Sequence, residues 1–107
     1  MSYINPFGGY EKSAQDIIID GCRLIMTSMA CPEQYDVFDE NTGEQVGYLR
    51  LRGGWFRADA PNHRGETVYE ANPSGDGIFD DDERMDYLTK AVKAIKEQLK
   101  KQKNENE

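Results

Sequence analysis

Along residues 46–59 apolar and polar side chains alternate with a period of two on both sides of a Gly53-Gly54 pair. Such alternation marks strands with one buried face, and two glycines between the runs mark a tight hairpin whose turn needs positive φ. With Gly53-Gly54 as a two-residue loop, Arg52 faces Trp55, Leu51 faces Phe56, Arg50 faces Arg57 and Leu49 faces Ala58. Leu49, Leu51, Phe56 and Ala58 then share one face of the hairpin. Tyr48, Arg50, Arg52, Trp55 and Arg57 share the other.

The segments around this hairpin extend it. Tyr35-Asp36-Val37-Phe38-Asp39 predicts a strand over about 34–39, turned by Asn41-Thr42-Gly43 into the strand over 45–52. Beyond the strand over 55–60, the polar loop Pro61-Asn62-His63-Arg64-Gly65 leads to a fourth strand over 66–71, centred on Thr67, Val68 and Tyr69. After residue 80 the period changes. Met85, Leu88, Val92, Ile95 and Leu99 recur at three and four residues and predict a helix over 81–101 with one apolar stripe. Asp80, Asp81, Asp82 and Glu83 crowd its start, and Lys90, Lys93, Lys96, Lys100 and Lys101 load its later turns, which complements the helix dipole. Asp86 with Lys90 and Glu97 with Lys101 add pairs at i,i+4.

Nearer the N-terminus, Ser13 and Asp16 form a helix start, and Ala14, Ile17, Ile18, Cys22 and Ile25 fall at helical spacing. The pattern predicts a short helix over 13–20 that ends at Gly21, although the β-branched run Ile17-Ile18-Ile19 also suits a strand. The expected fold is α+β: a four-stranded antiparallel β-meander packed by a long C-terminal helix, plus a short N-terminal helix. The helix stripe covers Leu49, Leu51, Phe56 and Ala58. The same stripe could line a seam between two copies, but two heptads are short for that. Residues 1–12, broken by Pro6 and Gly8-Gly9, read as an irregular leader, 13–101 as a single domain and 102–107 as a frayed polar tail.

Composition narrows the function classes. A chain of 107 residues suits one domain with a modest core. No run approaches the roughly 18 apolar residues of a membrane span, and the N-terminus lacks the basic start and apolar stretch of a signal peptide. A cytoplasmic location is expected. Cys22 and Cys31 stand nine residues apart with no second pair to complete a zinc site, and both are expected as buried thiols. A net charge of −7 disfavours nonspecific binding to duplex DNA. His63, the only histidine, lies in a polar loop with no Ser, Cys or carboxylate pattern around it, and no glycine loop is built to cradle phosphate. Nothing here composes a catalytic constellation, so no enzyme is expected.

Two stretches do carry candidate chemistry. Arg50 opposite Arg57 is a like-charge pair and needs compensation. A carboxylate from elsewhere in the chain is one answer. An anionic ligand is the other, since guanidinium forks pair with phosphate or carboxylate and Trp or Tyr stacks a base. The candidate ligand-binding residues are therefore Tyr48, Arg50, Arg52, Trp55 and Arg57. The second stretch, 72–83, resembles the twelve-residue calcium loop of EF-hands. Asn72, Ser74, Asp76, Asp80 and Glu83 fall at ligand positions one, three, five, nine and twelve, with Gly77 at the sharp turn and Ile78 giving a backbone carbonyl. It departs in carrying Asn at position one, Pro73 after it and Phe79 at position eight, and in being entered from a strand. A glycine turn leading to an acidic helix start explains 80–83 without Ca2+.

The order Tyr35-Asp36-Val37-Phe38-Asp39, Gly47-Tyr48-Leu49-Arg50-Leu51-Arg52, Gly75-Asp76-Gly77-Ile78-Phe79, Glu83-Arg84 and Tyr87-Leu88 resembles short uncharacterised proteins of bacteriophages and mobile elements, over roughly residues 31–95. The resemblance implies a non-enzymatic inhibitor that blocks host machinery, such as a CRISPR effector, or sequesters a nucleotide signal of host defence. It implies no catalytic residue. A host protein would meet the acidic surface, and a nucleotide-type anion would meet Arg50, Arg52, Arg57 and Trp55. A calcium-responsive module at 72–83 is the alternative.

Overall fold

The structure, a computed structural model, describes residues 16–27 and 32–105. Six strands form one antiparallel meander in chain order: β1 (Ile17–Ile19), β2 (Cys22–Met26), β3 (Glu33–Asp39), β4 (Gln45–Arg52), β5 (Trp55–Ala60) and β6 (Glu66–Ala71). A single helix, α1 (Asp81–Glu105), follows. The architecture is α+β, as the alternation predicts, but with six strands in place of four.

Of the two additional strands, β1 takes the place of the end of the expected N-terminal helix and β2 occupies the stretch that follows it. Ile17–Ile19 pairs antiparallel with β2, and Asp20-Gly21, with φ of 50° and 83°, forms the turn between them. A two-residue turn with positive φ at both positions matches the twist of the flanking strands. Residues 17–25 therefore obey the period of two, not the period of 3.6. Ile17 and Ile19 share a face with Cys22 and Leu24, and the β-branched run outweighs the helical spacing. Residues 13–15 of the expected helix, the leader over 1–12 and Cys31 lie outside the described residues.

The central hairpin has the expected register: Arg52 opposite Trp55, Leu51 opposite Phe56, Arg50 opposite Arg57 and Leu49 opposite Ala58. Gly53 and Gly54 turn it with φ of 59° and 76°, a conformation that glycine adopts without Cβ strain. Tyr35, Val37, Leu49, Leu51, Phe56 and Ala58 are buried on one face of the sheet. The helix lies over β4, β5 and β6 and brings Leu88, Ala91, Val92 and Ile95 to that face, all fully buried. Each such Leu, Ile or Phe contributes roughly 1.5–3 kcal/mol by leaving water. Gly47 lies beneath Ile95, where any side chain would collide with it. The stripe is consumed within the chain.

One expectation about the helix is corrected. Met85 does not join the stripe and is 50% exposed, because Phe79 from the preceding loop fills that end of the core, 4.9 Å from Phe56 and stacked on Tyr87. The helix extends through Glu105. Its lysine-rich composition favours helix near a C-terminus.

Candidate functional site: the open face of the sheet

The helix covers one side of the sheet over β4, β5 and β6, and among the described residues no helix or strand packs on the other side, which carries the strands' polar positions. Cross-strand pairing sets these side chains in rows. Gln34, Arg50, Arg57 and Glu70 form one row across β3 to β6, and Asp36, Tyr48 and Asp59 form the next. Arg52 and Trp55 close the row beside the Gly53-Gly54 turn. Arg50, Arg52, Trp55 and Arg57 together line a hollow of about 110 Å3. Four of the five expected ligand residues thus surround one space.

Each wall of the hollow is held differently. The Trp55 ring is 44% exposed, and its indole N–H donates to Glu70 Oε1 at 3.1 Å, which sets the ring's orientation. The Arg57 guanidinium lies over that ring, its carbon 5.4 Å from the ring centroid, in cation–π contact. Asp59 is 3% exposed and accepts a 2.8 Å bond from the Thr67 hydroxyl. Its other oxygen is 3.3 Å from Arg57 Nε, which is buried and out of line for a hydrogen bond. Among the described residues Arg50 and Arg52 form no ion pair, so only one of the three guanidiniums has an internal carboxylate.

Tyr48, the fifth expected residue, shares the face but stands one row away. Its hydroxyl donates to Gln34 at 3.0 Å, and its ring meets His63 edge-on at 5.9 Å. Tyr48 buttresses the face and does not line the hollow. In the same row burial pushes the Asp36 carboxyl up from its ordinary value, against the lowering effects of the Gln45 hydrogen bond and nearby His63. His63 itself is exposed.

The loop over 72–80 folds back toward the tip of the hairpin. Gly54 N–H donates to the Asp76 carbonyl at 2.7 Å, and Asn72 Nδ2 donates to the Gly54 carbonyl at 3.1 Å. Of the five residues at calcium-ligand positions, Glu83 is the one whose carboxylate is committed most. It accepts the N–H groups of Ser74, Gly75 and Asp80 at 2.9, 2.8 and 3.0 Å. Desolvation pushes its carboxyl up, but these three N–H bonds together with nearby Arg84 outweigh it and hold the carboxyl below its ordinary value. Its reach back to Asp80 is half of a capping box at the helix start. Among the described residues no three His, Cys, Asp or Glu gather as a metal-binding group. Calcium bound through Glu83 would have to displace those backbone bonds.

A buried ionic cluster lies at the other end of the loop and was not foreseen from the residues. Glu33, 3% exposed, accepts bonds from Arg84 Nε at 2.8 Å, Arg84 Nη2 at 3.1 Å, the Phe79 N–H at 3.0 Å and the Tyr35 hydroxyl. Burial pushes the Glu33 carboxyl up, but the bonds from Arg84, Tyr35 and Phe79 outweigh it and hold the carboxyl below its ordinary value. The bond to Glu33 raises Arg84 further above its already high range. The strand alternation carried a signal for this cluster. It places Glu33 on the same buried face as Tyr35 and Val37, where a carboxylate needs a cationic partner. The cluster is enclosed and ties the loop and helix to β3, so its role is structural.

The chain matches no family model, no curated protein and no solved structure.

Proposed function

We propose that this chain is a binding protein without turnover, whose open sheet face captures an anionic group of its partner. Such a role fits a small phage-type inhibitor that blocks or sequesters a host component. One observation carries the reading: Arg50, Arg52, Trp55 and Arg57 border a single hollow, and among the described residues neither Arg50 nor Arg52 has a carboxylate partner. Like charges brought together on a sheet cost stability, and an incoming anion relieves that cost. Among the described residues Cys22 is buried with its thiol pushed up by burial, and His63 packs on Tyr48 and does not line the hollow.

Trp55 is the only tryptophan and reports directly on the hollow. Titration with inorganic phosphate at constant ionic strength should change its fluorescence saturably, and Arg50→Ala or Arg52→Ala should weaken that response. An unchanged spectrum up to tens of millimolar phosphate, or a response indifferent to both substitutions, would rule the reading out.

A further inference from the structure

We infer that the anion taken by this face is the terminal phosphate monoester of a free nucleotide, with the base lying on Trp55; this rests on the anion-binding reading above. Size is the first constraint. A hollow of about 110 Å3 is well below the roughly 300–1,000 Å3 of pockets that enclose a whole small ligand. It admits one oxyanion group and leaves the rest of the ligand outside.

Charge is the second. Three guanidiniums line the hollow; Asp59 pairs with that of Arg57 and Glu70 is engaged by the Trp55 N–H, so among the described residues Arg50 and Arg52 are the two left without a carboxylate partner. A phosphate monoester carries about −1.5 to −2 near neutral pH, whereas a carboxylate carries only one negative charge. Three forked donors also suit an oxyanion with three terminal oxygens better than one with two.

The rim is the third. Trp55 is held by Glu70 on its edge and by Arg57 over its ring, yet 44% of it remains exposed. A pre-oriented aromatic surface beside an oxyanion hollow suits a ligand that carries a flat ring a short linker away from its phosphate. Bases of any identity stack in this way.

The whole-chain charge is the fourth. At −7 the protein repels a long polyanion over its full length, while a small ligand is attracted within the roughly 8 Å over which charges act at physiological salt. A free nucleotide is therefore favoured over a nucleic-acid strand.

The test follows amide chemical shifts of the intact chain against inorganic phosphate, adenosine 5′-monophosphate, adenosine and an oligothymidylate without a terminal phosphate. The nucleotide should bind about tenfold or more tighter than phosphate, the gain expected from stacking one base. Adenosine should not saturate, Arg50→Ala should weaken both anions, and Trp55→Ala should narrow the gap between them. If phosphate perturbs the face but the nucleotide binds no tighter, or the gap survives Trp55→Ala, the nucleotide inference falls and the anion-binding face stands. If neither anion perturbs it, both fall. Tighter binding of the oligothymidylate than of the nucleotide would overturn the inference in favour of a strand.

Discussion

Arg50 and Arg57 stand directly opposite each other on β4 and β5, a like-charge pair at the centre of the open face. They are not equivalent. Arg57 leans on Asp59 and the Trp55 ring, whereas Arg50 has no carboxylate partner among the described residues. Arg50→Ala should therefore leave stability unchanged or raise it by about 0.5–1 kcal/mol, by removing cross-strand repulsion. Arg57→Ala should lower it by roughly 1–3 kcal/mol, since buried Asp59 is left with Thr67 alone. Urea denaturation of the two variants measures the difference directly, and equal effects would mean that Asp59 does not hold Arg57.

The helix is the main lid of the core, and its stripe begins at Leu88. Leu88→Ala should cost about 2–5 kcal/mol, the usual range for a fully buried leucine. Met85→Ala, at a half-exposed position, should cost under about 0.5 kcal/mol. Denaturant melts of the pair check whether the packed stripe starts at residue 88.

Gly47 tests the same interface from the sheet side. A methyl group there points into Ile95, which is fully buried and closely packed. Gly47→Ala should cost roughly 1–3 kcal/mol through overpacking, and Ile95→Val in the same chain should recover part of that loss. Independent, additive effects would place the helix farther from β4.

Acid should weaken the protein through Glu33. Its carboxyl is held low in the folded chain, so its contribution is present above the unfolded value, roughly 4.3, and is lost as pH falls through the folded one. Asp36 acts in the opposite sense: burial raises its carboxyl, which penalises the ionised form at neutral pH and relieves the chain as it protonates. Glu33→Gln should lower stability at pH 7 by roughly 2–4 kcal/mol and flatten the acid limb. Asp36→Asn should steepen that limb. Melting temperatures between pH 3 and 7 distinguish the two slopes.

Glu83 makes the calcium question measurable. Its carboxylate accepts three backbone N–H groups across the loop and helix start. Glu83→Ala should lower the melting temperature by the same amount with and without millimolar calcium, and calcium should not raise it for the parent chain. A rise that vanishes in Glu83→Ala would show the ion replacing those bonds.

Local pattern alone determined the β3–β6 meander, the Gly53-Gly54 turn and the facing of Arg50, Arg52, Trp55 and Arg57. In a strand, facing follows from a period of two, and the turn length sets the register, so both can be read from neighbouring residues. The three-isoleucine run at 17–19 was ambiguous, because a period of two and a period of 3.6 coincide over so few positions. Pairing of β1 with β2, and of β2 with β3, decided it. The same limit explains Met85, whose spacing fits the stripe but whose place in the core was taken by Phe79 from another segment. Glu33 and Arg84 lie 51 residues apart, and only the closure of the helix onto the sheet brings them together. The hollow likewise required tertiary structure: sequence put three arginines on one face, but Asp59 and Glu70 decided which charge is paired and how Trp55 is held. Periodicity is a property of neighbours along the chain, whereas burial and charge pairing belong to neighbours in space.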